Sequence, residues 1–153
     1  MKKLLILALI SYGLYAGEIK VTDQNATDAV YILPLKKYPK WLTEAELANG
    51  KKVQFVSVKS MMTVYHHQKY FKKHKFIDAN ITKIYIQDFT SGRKVDAKKA
   101  VYLFGSRIVG PHGDDLIPFE NIDNAKLFMF KNGGTKILKF NKLTKGLIRY
   151  LDM

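Results

Sequence analysis

Trp41-Leu42-Thr43-Glu44-Ala45-Glu46-Leu47-Ala48-Asn49-Gly50-Lys51-Lys52-Val53-Gln54-Phe55-Val56 is the stretch that sets the fold class. Two alternating runs flank Asn49-Gly50, and both of those residues tolerate the positive φ of a type I′ turn, so the segment predicts a β-hairpin. A helix is expected next. Ser57 can cap it, and Val58, Met61, Met62, Tyr65, Tyr70 and Phe71 fall near helical spacing. The basic run Lys72-Lys73-His74-Lys75 suits the negative pole of that helix. Ile81 to Phe89 then alternates like a strand up to a turn at Ser91-Gly92. The unit reads strand, strand, helix, strand.

The remainder repeats this order in fewer residues. Ala100 to Phe104 reads as a buried strand ending at Gly105, and Leu116 to Phe119 as a short second strand. Asp123 is the expected cap of a helix running through Phe130. After Gly133-Gly134, Ile137 to Phe140 is a third strand, and Thr144 to Leu151 a closing helix with Leu147, Ile148 and Leu151 on one face. The expected fold class is α+β: two small similar halves, residues 17–98 and 99–153, with the boundary near Lys94 to Lys99 and a C-terminal helix at the end. Periodicity does not say whether the halves share one sheet.

The chain of 153 residues carries a charge of +13, is 47% apolar and has no cysteine. That apolar content builds a core, and the missing thiols exclude disulfide frameworks, thiolate zinc sites, iron-sulfur clusters and cysteine nucleophiles. Lys2 and Lys3 precede an apolar run from Leu4 to Leu14 and then Ala16-Gly17. Residues 1–16 therefore read as a secretory signal peptide, because the run is far shorter than the ~20 residues a spanning helix needs. Cleavage after Ala16 leaves 24 basic residues against 13 acidic ones, a charge of +11, and no later stretch is apolar enough to cross a bilayer. The lysines are scattered as pairs and singles, without the aromatic motif of an RNA-binding sheet, so nucleic acid is not the expected partner. A solvated basic surface favours anionic partners instead, protein patches or lipid headgroups.

Asn25-Ala26-Thr27 and Asn80-Ile81-Thr82 are the chain's two Asn-x-Thr triplets, and Asp23 and Asp78 stand two residues before their asparagines. Asp-x-Asn-x-Thr is similar to the extended acceptor of bacterial oligosaccharyltransferases. Glycosylation at Asn25 and Asn80 in a bacterial periplasm is the expectation, against the alternative that both aspartates are turn or cap residues.

Lys37-Tyr38-Pro39-Lys40-Trp41, the hairpin, Val95 to Ala100, Tyr102-x-x-Gly105-Ser106, Gly110-Pro111-x-Gly113, Leu116-Ile117-Pro118-Phe119 and Ala125-x-x-Phe128 resemble the NosL family over roughly residues 28 to 150. The resemblance implies a periplasmic copper-binding accessory protein for nitrous-oxide reductase assembly, built from two similar α+β halves. It also implies where the metal chemistry has changed. Upstream of the Lys-Tyr-Pro-Lys-Trp segment the family has Cys-Pro-x-Cys-Gly-Met, soft ligands for cuprous ion, where this chain has Asp28-Ala29-Val30-Tyr31-Ile32-Leu33. A methionine common inside the Gly-Pro-x-Gly loop is His112 here, and the lipid-bearing cysteine of many members is missing.

A replacement site would draw on Met62 and His66, one helical turn apart, with help from His112. The competing reading puts Met61 and Met62 in the apolar face of their helix and His66 and His67 on its exposed face. Asp114-Asp115 beside His112 lacks a nucleophile or second base at a recognisable spacing, so catalysis is not expected. The expected cofactor is none, or weakly bound copper. The function that follows is a non-catalytic accessory role in copper handling or reductase maturation with a degenerate metal site. The alternative is a metal-free scaffold that docks acidic partner surfaces.

Overall fold

A computed structural model describes residues 17–153, and the predicted signal peptide at residues 1–16 lies outside the described residues. The order of elements is β1 (Thr43–Leu47), β2 (Lys52–Phe55), α1 (Val58–His66), α2 (Gln68–Lys73), β3 (Ile81–Gln87), β4 (Lys94–Asp96), β5 (Val101–Phe104), β6 (Ile117–Phe119), α3 (Ile122–Asn132), β7 (Lys136–Lys139) and α4 (Lys145–Tyr150). Two antiparallel sheets result, one in the order β2-β1-β3-β4 and one in the order β6-β5-β7. This is the α+β architecture that the sequence pattern predicts, with strand, strand, helix, strand in each half and β4 added at the end of the first.

The hairpin forms with Thr43 opposite Phe55 and Glu46 opposite Lys52, but its turn is not type I′. Among the described non-glycine residues, positive φ is confined to Ile32 and Lys75, so Asn49 does not adopt it, and Gly50 alone turns left-handed at φ +82°. A three-residue loop closes instead through the Gly50 amide to the Leu47 carbonyl and the Leu47 amide to the Lys51 carbonyl. The strand begins at Thr43 rather than Trp41, because Pro39–Trp41 is a 3-10 turn. Its burial does not alternate, since β1 lies between β2 and β3 and is covered on both faces.

Ser57 caps α1 by accepting the Ser60 amide, as its position predicts. The expected single helix breaks at His67, whose ring Nδ1 meets the Thr63 carbonyl at 2.9 Å. A side chain competing for a carbonyl of the preceding turn separates α1 from α2. In the second half the cap of α3 is Asn121 and not Asp123. The Asn121 side chain accepts the Asn124 amide at 2.9 Å, which leaves Asp123 in the first turn, where the helix dipole favours a carboxylate. Thr144 caps α4 in the same manner.

The main core joins the two halves. Ala45, Phe55, Met61, Met62, Ile84 and Ile86 from the first pack in one cluster with Tyr102, Leu116, Leu143, Ile148 and Leu151 from the second. Tyr102 is fully buried, and its hydroxyl donates to the Ala97 carbonyl, so the boundary segment is tied into the core. The amino-terminal segment packs through Ile19 and Leu35 against Leu42 and Val56, the residues that flank the hairpin, with Tyr85 of β3 alongside. A third cluster of Leu103, Ile117, Phe119 and Ala125 sits between α3 and the smaller sheet.

Candidate functional site

The first turn of α1 carries a lysine where a cation is costly. Lys59 is fully buried, and a positive charge there opposes the positive pole of its own helix. Its ammonium has three N–H donors and finds three oxygens: the His112 carbonyl at 2.7 Å, the Leu151 carbonyl at 3.2 Å and Asp152 Oδ1 at 2.9 Å. It also lies 5.2 Å from the centre of the Tyr31 ring. One buried charge thus links helix α1, the 110–113 loop, the 28–33 segment and the carboxyl-terminal residues.

Two buried carboxylates offset that charge and the helix end. Asp28 accepts the Val30 and Tyr31 amides through one oxygen and the Val56 amide and Ser60 hydroxyl through the other. The 28–33 segment is thereby folded back and clamped to the start of α1. Asp115 accepts the Lys59 amide at 3.0 Å and the Leu116 amide at 2.8 Å through Oδ1, while its Oδ2 has no partner. Burial pushes the Asp115 carboxyl up to about 6, against the neighbouring Ser57 hydroxyl and the Leu116 and Lys59 amides, which pull it down.

Tyr31 and His112 complete the cluster. Their rings stack with centroids 4.1 Å apart and planes 14° apart, and the Tyr31 hydroxyl donates to Asp152 at 2.8 Å. Burial, then that hydrogen bond to Asp152, raises the Tyr31 hydroxyl far above its ordinary range, so it stays a neutral phenol. Ile32 follows with φ +57°, a left-handed conformation that suits glycine and strains a β-branched residue. The Cys-Pro-x-Cys-Gly-Met resemblance puts glycine at that position. Tyr31 and His112, standing where that resemblance puts a cysteine and a methionine, are side by side.

The sequence-predicted ligands are distributed differently. Met62 is buried in the main core cluster. The half-buried His66 directs Nε2 to the Leu143 carbonyl at 2.6 Å, and His112 is committed to the Tyr31 stack. Among the described residues, no group of three or more histidine, aspartate or glutamate side chains is placed to hold a metal ion. Asn25 and Asn80 are both exposed. Asp23 accepts the Asn25 amide at 2.8 Å, and Asp78 pairs with Lys51 and Asn49, whose hydrogen bonds hold its carboxyl below the ordinary value. Both aspartates therefore have local structural partners.

Lys59 escaped the sequence reading, which sought soft ligands and met Asp28 only as a replaced cysteine and Asp115 only as half of a non-catalytic pair. A signal was present: Lys59 is the one charge in Val56-Ser57-Val58-Lys59-Ser60-Met61-Met62, and a charge inside an apolar run is either exposed or deliberately paired.

Comparison with known proteins agrees with this fold. A family model described as NosL matches residues 18–148. The crystal structure of the copper chaperone NosL from Shewanella denitrificans superposes with a TM-score of 0.66 at 17% identity, covering 84% of this chain and 97% of that one. The solution structure of apo-NosL from Achromobacter cycloclastes gives a TM-score of 0.50 at 21% identity, covering 69% and 87%. No curated protein matches the chain.

The site makes two predictions. Ile32→Gly should stabilise the protein by about 1 kcal/mol in denaturant unfolding, because glycine removes the left-handed strain; a loss of stability would mean that the bend is held by the isoleucine itself. Asp115 takes up its proton near pH 6 when folded but only near the ordinary ~3.9 when unfolded, so the native state gains about 1 kcal/mol as pH falls from 7.5 to 5 and loses it as pH rises through 6. Urea titrations at the two pH values should show that increment in the wild type and lack it in Asp115→Asn.

Proposed function

From the premise that this chain belongs to the NosL family, whose members are non-catalytic, we propose that it is a periplasmic accessory protein for copper handling or nitrous-oxide reductase maturation that acts by binding partners, with its own cation position degenerate. The observation that carries this reading is the Lys59 ammonium, held by three oxygens beside Tyr31 and His112. Those two residues stand at positions where the family's sulfur ligands are expected.

The donor set does not fit cuprous cargo. A soft ion needs thiolate or thioether, and this cluster offers carboxylates, carbonyls, a neutral phenol and an imidazole stacked on it. A fixed ammonium adds repulsion to any incoming cation. Asp28, in the position of a cysteine, is occupied by four hydrogen bonds from its own fold. The same observations favour the second reading, a metal-free scaffold docking acidic partner surfaces through its surplus positive charge. Export after cleavage at Ala16 and glycans on the exposed Asn25 and Asn80 belong to the same proposal.

Titration of the purified protein with cuprous ion against a competing chelator tests the degenerate site. The chelator should keep the metal, and Lys59→Ala alone should not reverse that, since the chain has no cysteine to supply a thiolate. Tight one-to-one binding by the wild type would overturn the reading and return Met62, His66 and His112 to consideration.

A further inference from the structure

Helix α3 turns Ala125, Phe128 and Met129 onto the smaller sheet and leaves an outward crest. Phe130 on that crest is 88% exposed and Leu127 is 58% exposed. Lys126 and Lys131 flank them, both exposed. The 106–109 loop adds to the same end of the helix, because the Arg107 amide bonds the Asn132 carbonyl at 3.2 Å and its guanidinium the Lys131 carbonyl at 3.3 Å. Val109, at the tip of that loop, is 66% exposed.

The charge around this crest has one sign. Lys126 and Lys131 on the helix and Arg107 beside its end are all exposed, against the single carboxylate of Asp123 in the first turn of α3, a net +2. Large apolar side chains left in water beside basic ones need an occupant that is apolar within and anionic at its surface.

We propose that the α3 crest docks on an anionic phospholipid surface, with Leu127 and Phe130 entering the boundary between headgroups and acyl chains and Lys126, Lys131 and Arg107 meeting lipid phosphates. The shape favours lipid over protein. Two or three apolar side chains on a convex helix are too few for a protein interface, which takes about 800 Å² from each partner, but they suffice for shallow insertion reinforced by charge. A second copy of this chain is disfavoured because it would set one basic crest against another.

The test is sedimentation of the full mature chain with phosphatidylcholine vesicles, with and without phosphatidylglycerol, alongside the Leu127→Ser/Phe130→Ser double variant. The wild type should bind the phosphatidylglycerol vesicles, release with added salt and ignore pure phosphatidylcholine. The double variant should lose about tenfold or more of that partitioning with an unchanged melting temperature, since both side chains are exposed. Failure to bind phosphatidylglycerol vesicles at low salt overturns the proposal, as does equal binding by the double variant. Self-association that the double variant abolishes, or retention on polyglutamate without vesicle binding, assigns the crest to a second copy or an acidic protein and also overturns it.

Discussion

A charge buried in a protein must be met by oxygens or it destabilises the fold by several kcal/mol, and here the Lys59 ammonium sets the arrangement around it. Its three acceptors come from the 110–113 loop and the carboxyl-terminal residues. None is adjacent to Lys59 in sequence, so satisfying one ammonium fixes distant segments relative to α1. Asp28 and Asp115 stand at the same helix end. Carboxylates there balance both the lysine and the positive pole of the helix, and the unpartnered oxygen of Asp115 is the residual cost of packing so much charge under a short loop.

That constraint explains how the family's fold persists without its sulfur ligands. The 28–33 segment has no cysteine through which a soft metal could hold it folded back. In this chain Asp28 clamps the segment to α1 by hydrogen bonds, and the Tyr31 ring lies against His112 with the ammonium beside it. The left-handed Ile32 shows that the clamp holds the backbone in a conformation that strains a β-branched residue. Internal hydrogen bonds and one tethered cation thus hold this segment against the start of α1.

Much of the fold was legible in the residues because local signals and tertiary packing agree there. Ser57 and Thr144 cap their helices, and the Asn49-Gly50 turn joins two strands. The disagreements arose where a side chain intervened: His67 bonding Thr63 broke the first long helix, and Asn121 preempted Asp123 as a cap. Short β4 could not be read from three residues of mixed character. The site was less legible. Its four main residues, Asp28, Tyr31, Lys59 and His112, are spread over 84 positions of sequence and come together only through the shared core, while their chemistry is that of a satisfied ion and not of a ligand set.

The central claim is that a buried, tethered ammonium holds this cluster together. Nitrogen-detected NMR on uniformly labelled protein tests it most directly. The account predicts one lysine ammonium protected from solvent exchange at neutral pH, with cross-relaxation to the Tyr31 ring and the carboxyl-terminal residues, and unmoved by added cuprous ion. A Lys59 ammonium that exchanges as freely as the surface lysines, or that is displaced when cuprous ion is added, would contradict it.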